Sequence, residues 1–561
     1  MKLGYAQTCS LSSIKPDLGE TEQLLADSYQ ASDCVSVEIL ERRWLHRCPA
    51  VYKLKPKVET LGSLKKLIVG EKNPNTPNKT ILVVGETGTG KSTLIDALIN
   101  HAMGVKFEDQ VWFKVIEEEE KSQTASQTSD VKVYQVYEGK ALPFSLTIID
   151  TPGYADTRGI ERDVIIREQL LQLFQLEHGV HELHAVGLVV KATENRVKEH
   201  LRYVFDSVLS LFGKDLEKNI VALCTHSNGM YPKNVLTALE AVKIKCARDE
   251  RNDPVHFLFD NCQSNDRSHP NNMKILKRMF EDAEEEMNKL VKFMETVEPQ
   301  RLDTTLDVIT SRIRLTACIY NLQDRINQRD LKQREIRQTE EALKENKEKL
   351  ENDTNFTIEV DEVYKDKENI GVGKWGLTMF IDGATCCTVC EENCHFPCTT
   401  AWYPSRCKVM SKGKCTICTK KCPVSDHVKD QWRYVTKTRR VKKTLEDVKE
   451  KYEVKQEGMT GILEVLKQET EKLEEEKNQL LEEAYQHVIK LEEIALNVDS
   501  LSTSVNLELL IEKMKEKGET AKAEKLEKIM KRQDKGVLSV MKSWFEDLTG
   551  ETDLDLEDDL P

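Results

Sequence analysis

Between Thr80 and about Asp260, short apolar runs alternate with segments whose apolar residues recur at helical spacing. The runs are Ile81–Val84, Val131–Tyr137, Leu146–Ile149, Ala185–Val190, Ile220–Cys224 and His256–Phe259, and Val197–Phe212 is amphipathic with a helical period. This alternation predicts a three-layer α/β domain with a mostly parallel sheet. Past Glu298 the pattern becomes that of long charged helix. Leu322, Ile336, Leu343 and Leu350 fall on a seven-residue lattice, with Ile319 and Ile326 on companion positions. Met459, Leu466, Leu473 and Leu480 form a second lattice beside Leu463, Ala484 and Leu491, interrupted by Thr470 and Lys477. Both resemble coiled-coil seams.

A Cys-rich insert separates the two tracts, and strand-like runs at Phe356–Tyr364 and Trp432–Val441 flank it. The order predicts an antiparallel helical hairpin with a compact knob at its tip and the two strands paired at the knob's base. The alternative is two separate coiled-coil segments that pair with other chains. The expected divisions are a weakly ordered lead-in over 1–60, with a short helix around Val37–His46, and an α/β domain over 61–298. A first coiled-coil helix (299–355), the strands and cysteine module (356–441) and a second coiled-coil helix (442–497) follow. C-terminal helices (498–550) and an acidic tail (551–561) complete the chain.

A formal net charge of -14 over 561 residues repels phosphate backbones and disfavours nucleic acid as a partner. No signal-peptide core or membrane-spanning run is visible, Lys2 excludes N-myristoylation, and the DDLP end is no prenylation box. The chain therefore reads as cytoplasmic, where sixteen cysteines are not expected to build a disulfide framework.

The stretch Gly85-Glu-Thr-Gly-Thr-Gly90-Lys91-Ser92 fits G-x-x-x-x-G-K-[ST] at every fixed position. Its glycines, Gly88 among them, let successive backbone N–H groups point at phosphates, Lys91 supplies charge to the β and γ phosphates, and the Ser92 hydroxyl can ligate Mg²⁺, with Thr93 following. Strand ILVV enters the loop and helix STLIDALIN leaves it, placing the phosphates on a helix N-terminus. Behind it, Asp150-Thr-Pro-Gly153 ends a buried strand; Asp150 can hold Mg²⁺ through water and the Gly153 N–H can meet the γ-phosphate. Thr124 and Thr128 are the candidates for closing over the metal, and Thr128 is favoured because it precedes the strand at Val131. Lys91 and Thr128 are thus the catalytic candidates.

The P-loop, the DTPG sequence and the run GLVVKATENRVKEHLRYVFDSVLSLFGKDLEKNIVALCTHS resemble the septin-like branch of GTPases that contains the immunity-associated (GIMAP-type) proteins. From about Ala50 the chain is most similar to a group of large animal GTPases that join such a domain to coiled coils and a CHxPC-type cysteine cluster. The matching signs are KSQTASQT, IDTPGYADTRGIERD, CHFPC and CTICTKKCPVSDH. The resemblance implies GTP and Mg²⁺ as ligands, a homodimer or oligomer formed through the G domain, and slow hydrolysis completed by a second subunit. Two positions depart from the pattern. The strand Ile220–Cys224 ends in Thr225-His226-Ser227-Asn228 where GTPases carry N/T-K-x-D. His226 can still stack on the base, but the Asn228 amide satisfies guanine less well than a carboxylate; Asn261 offers a further base contact. Tyr154 stands where fast GTPases position water with Gln.

Nine cysteines fall between Cys386 and Cys422. Cys387-x2-Cys390-x3-Cys394-His395-x2-Cys398 is followed by Cys407, then Cys415-x2-Cys418-x3-Cys422 and His427. Two C-x-x-C pairs with extra Cys and His predict two structural Zn²⁺ sites, the sharing of ligands left open. The expected protein is a GTP-binding, slowly hydrolysing, assembling switch whose coiled coil and zinc knob contact protein partners. The alternatives are a pseudo-GTPase scaffold that holds nucleotide without turnover, or a P-loop ATPase.

Overall fold

The computed structural model describes residues 36–41, 49–62, 64–109, 111–115, 130–137, 142–152, 160–193, 205–241, 243–261, 267, 269–345, 357–370, 383–396, 398, 403–444, 446–447, 450, 459–497 and 501–531. They form two compact units. One draws on segments within 1–158, 176–205 and 217–301, the other on 159–175, 206–216 and 302–561. The helices, in chain order, are α1 Lys91–Ala102, α2 Ile160–Gln175, α3 Lys233–Ala241, α4 Pro270–Thr296, α5 Asp303–Glu345, α6 Met459–Ile494, α7 Leu501–Glu516 and α8 Thr520–Lys531.

In the first unit one sheet contains β1 Lys57–Leu61, β2 Leu64–Val69, β3 Asn78–Gly85, β4 Lys132–Val136, β5 Ser145–Asp150, β6 Ala185–Lys191, β7 Ile220–Thr225 and β8 His256–Leu258. Their spatial order is β8-β7-β6-β3-β5-β4-β2-β1. Pairing is parallel from β8 through β3 to β5 and again between β4 and β2; β4 with β5 and β1 with β2 are antiparallel. Each of the six apolar runs of the sequence contains or lies in a strand, Val131–Tyr137 overrunning its strand by a residue at each end and His256–Phe259 by one, and the sheet is mainly parallel as expected. Ile81, Val83, Tyr134 and Ile148 pack with Leu94 and Leu98 of α1 and Leu290 and Met294 of α4 in one core. Of the amphipathic segment Val197–Phe212, residues 205–209 are helical, and 197–204 lie outside the described residues.

The lead-in differs from expectation. Ser36–Glu41 is a strand rather than the start of a helix, antiparallel to Ala50–Lys55, which runs parallel to Val111–Lys114. Val37 and Ile39 alternate with Ser36 and Glu38, a period-two pattern of β-branched residues that a partner strand captures. Lys57–Leu61, all but its last residue placed in the lead-in, is the edge strand of the main sheet.

In the second unit α5 and α6 pack antiparallel, as the ion pairs Asp307–Lys490 at 3.4 Å and Arg329–Glu474 at 2.8 Å show by stepping in opposite directions. Leu322, Ile336 and Leu343 of α5 and Leu473, Leu480, Ala484 and Leu491 of α6 are buried. Leu350 and the side chains of Met459, Leu463 and Leu466 lie outside the described residues. Strand β9 Thr357–Asn369 pairs antiparallel with β13 Trp432–Thr444 over thirteen residue pairs. Between them β10 Ala384–Cys387, β11 Glu392–His395 and β12 His427–Asp430 form a small sheet in the order β11-β10-β12.

The cysteine module is not at the hairpin tip. The β9–β13 ribbon runs back along α5, with Gln338 Nε2 donating to Asp361 Oδ2 at 3.0 Å and Lys365 to Asp324 at 2.9 Å. The module then docks on the flank of α5, where Asn321 Nδ2 donates to the Asn393 carbonyl at 2.8 Å and Arg314 Nε to the Lys408 carbonyl at 3.0 Å. Leu315, Ile319 and Leu322 of α5, Leu481 and Val488 of α6, and Val409 and Ile417 of the module share one core. A module at the tip would leave part of this apolar band in water; docking removes it.

Candidate nucleotide and metal sites

The loop from Gly85 to Gly90 links β3 to α1 at the carboxyl end of the parallel strands, where α/β sheets place ligands. Gly88 and Gly90 have φ of +79° and +89°, the left-handed region that favours glycine. Gly90 caps α1 with no side-chain hydrogen bond, so the first N–H groups of the helix remain available to an anion. Lys91 is 8% exposed and donates from Nζ to the Gly85 carbonyl at 2.7 Å and the Glu86 carbonyl at 2.8 Å. Burial pushes its ammonium down to about 8, against the raising pull of Asp150 and Glu86. Asp150 is 1% exposed at the end of β5, and the next residue, Thr151, donates from Oγ1 to the Val83 carbonyl at 3.0 Å, tying this turn to β3. The structure thus brings Gly85, Gly88, Gly90, Lys91, Ser92, Thr93 and Asp150 to one end of the sheet, while Thr124, Thr128, Gly153 and Tyr154 lie outside the described residues.

Strand β7 reaches the same loop. Thr225 Oγ1 donates to the Thr89 carbonyl at 2.6 Å, and a Cβ on Gly90 would lie 3.5 Å from the His226 ring. His226 has φ of +52°, a strained value for a non-glycine residue that turns its ring toward the P-loop. Asn228 is exposed, and its Oδ1 accepts from the Met230 N–H at 3.1 Å in an Asx-type turn. Its one strong acceptor is therefore already engaged by the backbone. Asn261 follows Phe259, whose carbonyl accepts from the Ser227 N–H at 3.1 Å, so the two loops are adjacent. At the opposite end of the sheet a cavity of ≈ 520 Å³ is lined by Asn78, Thr80, Gln135 and Thr147. These side chains already bond one another, with Thr147 Oγ1 2.9 Å from Gln135 Oε1 and Gln135 Nε2 2.9 Å from Asn78 Oδ1.

Residues 76–175 match the septin family model. This part of the chain is similar to the P-loop domain of septins. No curated protein matches the chain. Among solved structures, Toc33 from Arabidopsis thaliana in complex with GDP and Mg²⁺ is 15% identical, covering 41% of this chain and 89% of that one, with a TM-score of 0.26. Toc33 from Arabidopsis thaliana in complex with Mg²⁺ and GMPPNP is 16% identical, covering 38% and 86%, with a TM-score of 0.25. The septin-like match supports binding of GTP. Among the described residues no helix is long and apolar enough to cross a membrane.

Among the described residues the cysteines gather into three sets rather than two. Cys387, Cys390, Cys418 and Cys422 form one, Cys394, Cys415, Cys418 and His427 a second, and His395, Cys398 and Cys407 a third; within each set the ligand atoms lie within 4.8 Å of one another. Cys390 and Cys422 have their Sγ atoms 3.6 Å apart, and Cys398 and Cys407 theirs 3.9 Å apart. Tetrahedral zinc with bonds of about 2.3 Å separates two sulfurs by roughly 3.8 Å, whereas a disulfide needs about 2.05 Å. Backbone N–H groups of Cys390, Cys418 and Cys422 point at Cys387, Cys415 and Cys418 at 3.2 to 3.4 Å, the support that metal-bound thiolates require. Hydrogen bonds from Cys394 and Cys418 draw the Cys415 thiol down to about 3. His427 donates from Nδ1 to the Pro423 carbonyl at 2.9 Å, and its Nε2 is buried with no hydrogen-bond partner. That tautomer leaves Nε2 as a lone-pair donor aimed into the second set.

Cys386 belongs to none of the sets. It neighbours Cys387 on β10, so the strand period turns it to the other face, where its thiol lies 3.4 Å from Asn393 Oδ1. Cys224, Cys246 and Cys318 are buried, and burial pushes each thiol up to about 12, as expected of core residues.

Proposed function

We propose that the protein is a GTP-binding switch that hydrolyses slowly, pairs through its G domain with a second copy, and presents a helical arm with a zinc-bound cysteine module to protein partners in the cytoplasm. The observation that carries the nucleotide part is the buried pair of Lys91 and Asp150 flanking the uncapped N-terminus of α1. There Lys91 would meet the β and γ phosphates, Ser92 and Asp150 would hold Mg²⁺, and Thr128 would close over the metal. His226 would stack on the base, with Asn228 and Asn261 supplying polar contacts to it. Tyr154 in place of a water-positioning Gln is the reason for slow turnover, and a second subunit would complete the site. Zinc is the metal suited to these Cys-rich sets, with Cys418 bridging the first two and the role structural, since closed thiolate sites lack an open catalytic position.

The engaged amide of Asn228 favours a second reading, a pseudo-GTPase scaffold or an ATPase. The test is to purify the full chain with and without Lys91→Ala, identify the co-purified nucleotide, and follow GTP and ATP turnover against protein concentration. Turnover of GTP that rises per chain with concentration supports the assembling switch. Retained nucleotide without turnover supports the scaffold, and preference for ATP the ATPase.

A further inference from the structure

The third cysteine set has three donors, all of them buried. His395, Cys398 and Cys407 are 9%, 1% and 3% exposed, and His395 Nδ1 lies 3.3 Å from Cys407 Sγ. Thr385 Oγ1 donates to Cys398 Sγ at 3.3 Å, which orients that sulfur toward Cys407. A three-ligand zinc site normally completes its tetrahedron with water from an open face. Here all three donors are buried, and the buried residue that acts on His395 and Cys398 from α2 is Glu168. This carboxylate is 1% exposed, lies within electrostatic reach of His395 and Cys398, and has a buried Oε2 that makes no hydrogen bond. Lys429 acts on the same two groups, Glu168 and His395, and its Nζ is also buried without a hydrogen bond. A carboxyl and an ammonium are thus both buried beside the third set without a hydrogen bond, an arrangement that costs heavily unless a further charge lies near them.

We propose that His395, Cys398, Cys407 and Glu168 form a third zinc site, in which α2 supplies the fourth ligand to the cysteine module. The charges agree. A divalent zinc with two thiolates and one carboxylate carries a net single negative charge, which Lys429 offsets. In the structure the three Cys and His donors are already at coordination spacing, whereas the Glu168 carboxylate lies outside the 4.8 Å within which they gather and would have to move onto the ion. The consequence is a covalent-strength tie between the cysteine module and the helix that follows the Asp150-Thr-Pro-Gly153 sequence in the chain. The proposal rests on the reading that the module holds zinc.

The test is zinc content of the full chain by native mass spectrometry, with X-ray absorption at the zinc edge, for wild type, Glu168→Ala and Glu168→His. Three zinc ions in wild type, falling to two in Glu168→Ala and returning to three in Glu168→His with one oxygen ligand replaced by nitrogen, is the expected result. Three ions in Glu168→Ala with an unchanged edge spectrum would remove Glu168 from the site. Two ions in wild type would overturn the third site and leave the two Cys-rich sets intact. No zinc at all would overturn the zinc reading of the module itself.

Discussion

Lys91 Nζ donates to the carbonyl of Gly85 at 2.7 Å, so the ammonium that would meet the phosphates is held by the first residue of its own loop. Burial leaves its proton loosely held, at about 8 rather than the usual lysine value. Phosphate oxygens restore the proton affinity, so nucleotide binding takes up a proton above that pH. Affinity for GTP should be flat below about pH 8 and fall above it, while Lys91→Ala should lose about 100-fold at neutral pH and the pH dependence with it. Titration of a fluorescent nucleotide across pH 6.5 to 9.5, as an approximate range, checks both. A flat wild-type profile would mean that Lys91 is not the phosphate ligand.

In the proposed site, guanine selectivity would hinge on Asn228, whose Oδ1 is engaged by the Met230 N–H. Asn228→Asp keeps that turn and adds a second, charged acceptor. It should tighten GTP about tenfold and leave ATP unchanged, because hydrogen bonds to ionised groups are worth about 1.5–3 kcal/mol. Competition between the two nucleotides reads this directly. Equal gains for both would place Asn228 away from the base.

The first unit carries an acid-sensitive histidine. His184 is buried, and burial, with a smaller push from Lys79, lowers it to about 4. Its Nδ1 accepts from the Thr80 N–H at 3.2 Å, which requires the neutral ring. The unfolded chain therefore takes up a proton near pH 6.5 that the fold refuses until about 4, so stability falls as pH drops through that window, by up to about 3 kcal/mol. His184→Asn keeps an acceptor for Thr80 without titrating. Its melting temperature should decline less between pH 7 and pH 5, as approximate endpoints, than that of wild type.

The second unit depends on a buried ion network. Arg325 is paired with Glu392 and, at 3.2 Å, with Glu476, and Glu392 also accepts from Thr419 Oγ1 at 2.8 Å. Arg325→Ala strands two carboxylates and should cost about 3–5 kcal/mol, whereas Arg325→Met with Glu392→Met should cost much less. Thermal melts of the four members of the cycle separate the pair from its desolvation.

What the sequence made legible follows from burial. Ile81–Val84 and Ile220–Cys224 are apolar throughout because both faces of those strands are covered, and such runs announce themselves. Lys57–Leu61 is exposed along most of its length, and its pairing with Leu64–Val69 is decided by the neighbouring strand rather than by its own pattern. The cysteine spacings reveal two C-x-x-C edges, but which edges share a metal is set by how β10, β11 and the Cys415–Cys422 segment fold together, as Cys418 in two sets illustrates. Glu168 carries no signal in sequence, being far from the module along the chain and brought to it only by packing. The base-reading departure was visible; that Asn228 Oδ1 is consumed by a turn was not.

Metal removal gives the sharpest global prediction. The strands of the cysteine module are at most four residues long, and among its buried side chains cysteines outnumber large aliphatics such as Val409 and Ile417. Such a segment has too little apolar surface to order itself, so its fold should depend on the ions its thiolates are proposed to hold. Chelation should release amide protection across β10, β11 and β12. Most helical signal should remain, because α5 and α6 pack through Leu322, Leu480 and Val488, which need no metal. Hydrogen exchange before and after stripping, then after adding Zn²⁺ back, measures this. Full protection of the three strands in chelated protein would show that the module is held by packing on α5 alone.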